Sequence, residues 1–420
     1  MHHRLLRLVL PFLLATTIAH AQQTDSLALR LSEAEQIFLQ RNLLLLAQQY
    51  NTDISKAAVQ QAKYWDNPLL NTDQNIYDGK FFRHNSNFGQ VFIQLQQVIK
   101  TAGKRNKLVQ LANDDVLSSQ QQFSNLMRNL RYVLRTDFNT LHLQFSTWAI
   151  YNDEIAALQK LATGMDAQLQ AGNISQKDNI RVKALLYSLQ TEAADLQRQI
   201  ADTEKEFAVL LQVGGDTVIV PKRDETPVIT ENYPLAALLD TARINRPDIQ
   251  LAQTNLLLQQ HNLSYQKALA KPDLTLGVEY DQRSSYVNNF WGLGLSLPLP
   301  LLNKNKGNIK AAQVGILQAN VQVQQAQHTV QQEVIAAWHK LTAVQRLQQS
   351  IAPGFMSKYN QLMKNMVQSY QERQIGLLEF IDFFDAYKDA ATKQLQQQNN
   401  LLAAAEELNY STGTTIFSLK

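Results

Sequence analysis

Apolar and polar residues recur with two different periods along this chain, and the two periods follow each other in a fixed order. Residues 32–64 have apolar positions at helical spacing, and Pro68 ends the helix because proline cannot continue the hydrogen-bond ladder. A β-hairpin is predicted at 68–98, where apolar and polar residues alternate as in strands. A long helical hairpin is predicted at 104–212. The pattern therefore predicts a mainly α-helical fold with a small β part.

The same order of elements occurs a second time. A constant offset of 204 positions places Leu31 on Leu235 and Gly103 on Gly307, with helix, proline and alternating strands between them. One gapless offset through several kinds of structure indicates an internal duplication. The second copy predicts a β-hairpin at 272–300 and a helical hairpin at 307–410.

The first residues have the features of an export signal. Arg4 and Arg7 precede an apolar run, and Ala19-His20-Ala21 is typical of a cleavage site. The predicted organisation is a signal peptide (1–21), a first repeat (22–212), a linker (213–234) and a second repeat (235–420).

The strands of the second hairpin have one apolar face, and aromatic residues gather near their turn. Runs of about ten alternating residues with interfacial aromatics are typical of outer-membrane strands, although a soluble sandwich hairpin fits the strands equally well. The candidate membrane-interface aromatics are Tyr280, Tyr286, Phe290 and Trp291.

Each hairpin precedes a very long helix that has a coiled-coil seam. Leu134, Phe138, Leu141, Phe145 and Trp148 step by four and three alternately, which is the 3.5-residue period of such a seam. Each long helix ends at a short break and a second helix returns. The two tips are predicted at Gly172, Asn173, Ile174 and Ser175, and at Arg373, Gln374, Ile375 and Gly376.

The composition and motifs argue against an enzyme. The chain has no cysteine, and its formal charge of +3 gives no bias towards nucleic acid. It has no phosphate-binding loop, nucleophile elbow or dinucleotide fingerprint, and no histidine pair at the i, i+4 spacing of a helical zinc site. We therefore predict no catalytic residue, no cofactor and no metal site. The histidines beyond the signal are His84, His142, His261, His328 and His339.

Two aspartates after the second tip are the candidate chemistry of this chain. Asp382 and Asp385 lie at i, i+3 on one helical face, with Glu379 three residues earlier. They lack a partner for acid–base catalysis, and an ordinary solvated face is one interpretation. Repeated by symmetry, they would instead form a cation-attracting ring of carboxylates.

Over essentially all of the chain after the signal, this arrangement resembles the TolC-like outer-membrane efflux proteins. The resemblance implies a channel-tunnel, in which long α-helical hairpins form an α-barrel across the periplasm. It also implies a homotrimer in which four strands per subunit contribute to a 12-stranded β-barrel in outer-membrane lipid. The implied partners are a periplasmic adaptor, or membrane fusion protein, and an inner-membrane pump.

The resemblance also implies roles for individual residues. Gly376 and the run 381–386 are similar to the tip glycine and the paired aspartates of the periplasmic aperture, and Asp178 to the matching position of the first repeat. The tips would contact the adaptor. This chain has Leu378 where the family has an arginine that helps to latch the aperture, and Arg373 is the candidate substitute.

The predicted function is therefore a passive exit duct of a tripartite efflux system. The overall resemblance favours efflux of heavy-metal cations by an RND-type pump. Multidrug efflux and type I protein export remain alternatives. A periplasmic adaptor or coiled-coil scaffold is the alternative from another class. The two copies of the helical hairpin and the β-hairpin argue against it.

Overall fold

The computed structural model describes residues 25–77, 79–83, 88–214, 217–223, 229, 233–285, 287–350 and 354–418. The helices are α1 (Leu31–Arg41), α2 (Leu43–Lys63), α3 (Lys104–Gln170), α4 (Gln176–Leu211), α5 (Leu235–Asn245), α6 (Pro247–Leu269), α7 (Lys306–Ser350), α8 (Phe355–Gln371) and α9 (Leu377–Thr412). The strands are β1 (Asp25–Leu29), β2 (Leu69–Gln74), β3 (Val91–Ile99), β4 (Thr217–Pro221), β5 (Leu274–Arg283) and β6 (Asn288–Ser296). The predicted mainly α-helical class is confirmed. The predicted signal peptide lies outside the described residues.

The helices form four neighbouring columns that run away from one sheet. Nearest the sheet, the order of packed helices is α2, α3, α6 and α7. Towards the tips, α4 packs on α3, α3 on α9, and α9 on α7 and α8. The 67 residues of α3 make a rod of about 100 Å at 1.5 Å per residue, so this helix runs through both levels.

Each entry helix, predicted to be continuous, is interrupted at a position that repeats between the halves. Asn42 separates α1 from α2, and Arg246 separates α5 from α6, which is again an offset of 204. The Asn42 amide donates to Leu210 O (3.0 Å) at the end of α4, and the Arg246 guanidinium donates to Ser411 O (3.0 Å) at the end of α9. The junction residues therefore tie the start of α2 to the end of α4, and the start of α6 to the end of α9.

The two predicted hairpins join in a single antiparallel sheet of order β2-β3-β5-β6. Leu70 pairs with Leu95, Leu95 with Val278, and Val278 with Leu293, which makes one row across all four strands. The central β3–β5 pair joins the first repeat to the second. Strands β2 and β6 remain at the two edges of the sheet.

The constant offset of 204 does not hold through the second strand of each hairpin. In the first hairpin Leu70 pairs with Leu95, so an offset of 204 would pair Leu274 with Leu299 in the second. The second hairpin instead pairs Thr275 with Ser296, so its connection between the paired strands is two residues shorter. The left-handed residue before α3 is Gly103 (φ 67°), and the corresponding residue before α7 is Asn305 (φ 55°). Gly307 therefore lies inside α7 and is not the structural equivalent of Gly103.

Three further features were not predicted. The segment assigned as a linker contains β4, which pairs in parallel with β1. The second long rod is interrupted near Gly354, where a left-handed residue (φ 72°) precedes α8. Finally, α9 continues to Thr412, and the segment after it folds back so that Phe417 is buried among α5, α7 and α9.

Candidate functional site

The four-stranded sheet has one apolar face that is open to the surroundings. Leu70 is 62%, Leu95 52% and Leu293 81% exposed, although these residues would be expected inside a soluble sandwich. On the same face Tyr280 pairs with Trp291, and their ring centroids are 5.2 Å apart. The apolar face is therefore suited to a hydrophobic environment.

The register separates the predicted interface aromatics. Phe290 pairs with Asp281, so it lies on the face opposite Trp291, and only Tyr280 and Trp291 are brought together. Tyr286 lies outside the described residues.

The other face of the sheet carries a row of polar side chains. Asn71, Gln94 and Glu279 follow one another across the strands, and the row ends at Gly292. Gln94 donates to Glu279 (2.8 Å) and accepts from Asn71 (3.4 Å). A Cβ on Gly292 would lie 2.7 Å from the Phe290 ring and 2.9 Å from the Glu279 carboxylate, so a larger residue here would force these side chains to shift. One apolar and one polar face match the two surfaces of a strand between lipid and a water-filled lumen.

At the other end of the helices the two predicted tips lie side by side. Gln168 Oε1 accepts a hydrogen bond from Asn173 of the first tip (3.0 Å) and another from Arg373 of the second (3.0 Å). Sequence reasoning did not identify Gln168, which is one more glutamine in a polar helix. Arg373 has φ 61° and is held by this contact with the first tip, while Leu378 is 67% exposed.

Asp178 has a structural role at the start of α4. Its backbone N–H donates to Ser175 Oγ (3.1 Å), and its carboxylate accepts from the same hydroxyl (2.7 Å). This is a reciprocal N-terminal cap. Asp178 is the third residue of α4, and the third residue of α9 is Glu379, so the structural counterpart of Asp178 is Glu379 and not Asp382.

Asp382 lies in the second turn of α9 and Asp385 in the third, and both side chains are largely exposed. Phe380 and Phe384 of the same turns are buried against α3 and α8, which fixes the direction of the two aspartates. Partial burial raises the pKa of Asp385, although nearby Lys388 opposes the shift. The structure thus keeps both aspartates available near the tips.

A buried carboxylate lies close to Asp385, and sequence reasoning missed it. Glu154 of α3 is 5% exposed, and neither of its oxygens has a hydrogen-bond partner. Burial raises the pKa of Glu154 to about 8, with Lys388 lowering it and Glu192 and Asp385 adding to the rise. Lys388 Nζ is instead bound to Glu192 of α4 at 3.0 Å. Burial of Glu154 could not be read from its polar neighbours in the sequence.

Within the described residues, no three His, Asp or Glu side chains come together in a way that could hold a metal ion. His261 Nδ1 lies 2.5 Å from Asp114 Oδ2 and links α6 to α3, so this histidine has a structural partner. His84 lies outside the described residues. In the part of the chain that is described, we find no helix with both the length and the apolarity to cross a membrane.

Comparison with known proteins agrees with this architecture. No family model matches the chain. It is 21% identical over 77% of its length to the outer membrane efflux protein BepC of Brucella suis, covering 72% of that protein. It is also 20% identical to the cobalt-zinc-cadmium resistance protein CzcC of Cupriavidus metallidurans, over 83% of this chain and 80% of that one. The crystal structure of the open MtrE outer membrane channel of Neisseria gonorrhoeae superposes with a TM-score of 0.69 at 17% identity, over 92% of this chain and 89% of that one.

The chain therefore has the channel-tunnel fold, which the sequence predicted. One distant sequence relative is named as an outer membrane efflux protein, so the chain resembles the TolC-like outer-membrane efflux class in sequence as well as in fold. The comparisons indicate the class of protein, and they do not indicate which substance it carries.

Proposed function

We propose that the protein is the outer-membrane duct of a tripartite efflux system and has no catalytic activity of its own. Three copies would close the four-stranded sheet into a 12-stranded barrel, and the helical columns would form a tunnel in the periplasm. A periplasmic adaptor would dock on the tips at 172–175 and 373–376 and connect the duct to an inner-membrane pump. The observation that carries this proposal is that the protomer has unpaired outer elements in both of its parts. These are the two edge strands of the sheet and the two outer columns of helices.

At the level of the sheet, the unfinished edges are strands β2 and β6. An unpaired edge favours association with another strand, and closing a barrel is the arrangement that removes it. The outward apolar row and the inward polar row support the same arrangement, because they would face lipid and lumen respectively.

Among the helices nearest the sheet, α2 and α7 occupy the two outer positions. Each of these two helices has a stripe of apolar side chains that is exposed in the single protomer. On α7 the stripe is Val314 (51%), Leu317 (65%) and Val321 (64%). On α2 it includes Tyr50 (57%) and Ile54 (67%). Burying such stripes stabilises association by roughly 25 cal/mol for each Å² of apolar surface. We infer that α7 of one protomer packs on α2 of the next.

Within the part of the chain that the structure describes, no metal-binding cluster assigns the cargo. One relative is named for cobalt, zinc and cadmium resistance, which is the basis for keeping heavy-metal cation efflux by an RND-type pump as a form of the proposal. A third relative, from Pseudomonas putida, is named for pyoverdine export, so the relatives are named for different substances. A duct whose pump selects the substrate is compatible with both heavy-metal cations and pyoverdine.

A gel of detergent-solubilised outer membranes tests the duct assignment. We expect the unboiled sample to migrate as a trimer and the boiled sample as a monomer near 47.6 kDa less the signal peptide. A barrel closed by three chains separates only when heating breaks its strand pairing. A protein recovered as a soluble monomer from the periplasmic fraction would contradict the proposal.

The aperture role proposed for Asp382 and Asp385 has its own test. The double substitution Asp382→Ala and Asp385→Ala removes six carboxylates from a trimer, so block of single-channel current by divalent cations should weaken at least several-fold. Asp389→Ala, one turn further along α9 and also exposed, is the matched control. Unchanged block in the double variant would remove the aperture assignment and leave the duct proposal intact.

A further inference from the structure

An open cavity of about 320 Å³ lies at the seam between the two repeats, bordered by α3, the junction of α5 and α6, and the end of α9 with the residues that follow it. Its α3 wall carries Arg128, Arg131 and Arg135. Their spacing of three and four residues places all three guanidinium groups on one side of the helix. Side-chain hydroxyls and amides line other parts of the cavity, from Asn245, Gln250, Thr414 and Thr415.

The first and last of these arginines are held by the protein. Arg128 donates to Tyr410 O (3.0 Å), and its guanidinium carbon lies 4.2 Å from the centre of the Tyr410 ring. Arg135 donates to Glu35 (2.5 Å) and to both carboxylate oxygens of Glu406 (3.1 Å each). Glu406 also lines the cavity, but this two-point contact compensates its charge.

The middle arginine has no such partner. Arg131 forms no hydrogen bond or ion pair with the described part of the chain, and its Nε is buried without an acceptor. The Nε of Arg128 is also buried without an acceptor. Leaving a buried donor unsatisfied costs about 1–3 kcal/mol, so an acceptor inside the cavity would stabilise the protein.

The carboxylates near Arg131 are already bound by other arginines. Burial lowers the pKa of Arg128 and the nearby guanidinium of Arg246 lowers it further, whereas Tyr410, Asp248 and Glu333 raise it. The carboxylate of Asp248 lies 3.9 Å from Arg128, but it is bound more closely by Arg246 at 2.5 Å. The Nε–H of Arg131 is therefore a buried donor without an acceptor, and Glu406 and Asp248 are already bound by Arg135 and Arg246.

We propose that this cavity binds a small oxyanion, with Arg131 as its principal ligand. The planar guanidinium fork matches the oxygens of a phosphate, a sulfate or a carboxylate, and Arg128 would add its free Nε–H. The volume is at the small end of the range for ligand sites, so an inorganic oxyanion or a short dicarboxylate fits. The ligand would bridge α3 of the first repeat to α9 of the second.

Binding can be measured by isothermal titration calorimetry on the purified full-length protein in detergent. Sodium phosphate, sodium sulfate and sodium succinate are titrated separately at constant ionic strength in sodium chloride. We expect saturable binding of at least one of them with a dissociation constant of about 1 mM or tighter. A preference for phosphate and sulfate would assign a tetrahedral oxyanion, and a preference for succinate a carboxylate.

Arg131→Gln is the informative variant, because it removes the charge without breaking a contact within the described chain. It should weaken binding at least tenfold, while Arg198→Gln, whose side chain is 77% exposed on α4, should bind like the wild type. Absence of saturable binding in the wild type, or equal binding by Arg131→Gln, would overturn the proposal. Neither result depends on conduction or trimer formation, so the duct proposal is tested separately.

Discussion

Replacing Glu154 with glutamine is expected to raise the stability of the protein at pH 8 and to leave it nearly unchanged at pH 5. Burial raises the pKa of Glu154 to about 8 in the folded state, whereas a glutamate in an unfolded chain titrates near about 4.3. Between these values the folded protein retains a proton that the unfolded chain has lost. The free energy of unfolding therefore falls as the pH rises through this range.

The expected gain from Glu154→Gln at pH 8 is on the order of a few kcal/mol for each protomer, because each unit of pKa shift corresponds to about 1.4 kcal/mol. Circular dichroism melting of the detergent-solubilised protein at both pH values measures it as an apparent Tm. The charged and titratable groups around Glu154 are Asp153 and Tyr151 on α3, Glu192 on α4, and Asp385, Tyr387 and Lys388 on α9.

Asp153→Asn provides the matched control, because Asp153 is the exposed neighbour of Glu154 on the same helix. It should leave the pH dependence close to that of the wild type. If Glu154→Gln changed the apparent Tm equally at pH 5 and pH 8, Glu154 would not be the protonated buried group described above.

Placing an arginine at Leu95 is expected to prevent assembly in the outer membrane. Leu95 lies in the middle of the apolar row and is 52% exposed, so under the duct proposal its side chain faces lipid. An arginine on the lipid face of a barrel costs about 2–4 kcal/mol near the bilayer midplane, and a trimer would contain three of them. The amount of heat-dissociable trimer in outer membranes measures the effect.

Gln96→Arg is the control, because Gln96 is the adjacent residue of β3 and lies on the polar face opposite Gly277. A long charged side chain facing a water-filled lumen keeps its hydration, so this variant should assemble like the wild type. Equal loss of trimer in both variants would mean that the two faces of the sheet are not in different surroundings.

The elements that sequence reasoning predicted best are those with a local cause. Alternation in 274–296, Pro68 and the left-handed Gly172 at the first tip each act on their own neighbours, and the structure places hairpin and tip where they indicate. The fold class followed from these features and from the duplication. Patterns along the chain were therefore sufficient for the mainly α-helical class, whereas the channel-tunnel arrangement was implied by the family resemblance.

The features that were missed depend on contacts between distant residues. Asn42 interrupts a helix because its amide reaches Leu210 O, 168 positions away, and an isolated asparagine carries little local signal. The β1–β4 pair joins a five-residue strand at the start of the first repeat to a five-residue strand in the linker, about 190 positions away. Arg246-Pro247 and Pro353-Gly354, by contrast, are proline and glycine signals from which the other two breaks could have been predicted.

The residues of the candidate site also divide into those with a local sequence signal and those that depend on distant contacts. Asp382 and Asp385 were found from their spacing, but Glu154 is one acidic residue in a long helix until α4 and α9 cover it. The repeat alignment also misled at this point, because Asp178 corresponds to Glu379 when each is counted from its helix start. A gapless offset cannot follow small length changes within hairpins and tips.

The central claim is that three protomers close a ring through α2 and α7, and disulfide cross-linking tests it most directly. The chain has no cysteine, so any disulfide that forms must come from the introduced pair. Ile54→Cys is combined in turn with Val314→Cys, Leu317→Cys and Val321→Cys, which sample successive positions of the exposed α7 stripe. Within one protomer α3 and α6 separate the two helices, so a bond must join different chains.

After mild oxidation of intact outer membranes, we expect at least one pair to give a covalent trimer on a denaturing gel without reductant. The trimer should revert to monomer with reductant, and each single-cysteine variant should remain monomeric after boiling. Failure of all three pairs to link, in variants that express normally in the outer membrane, would contradict the closed ring.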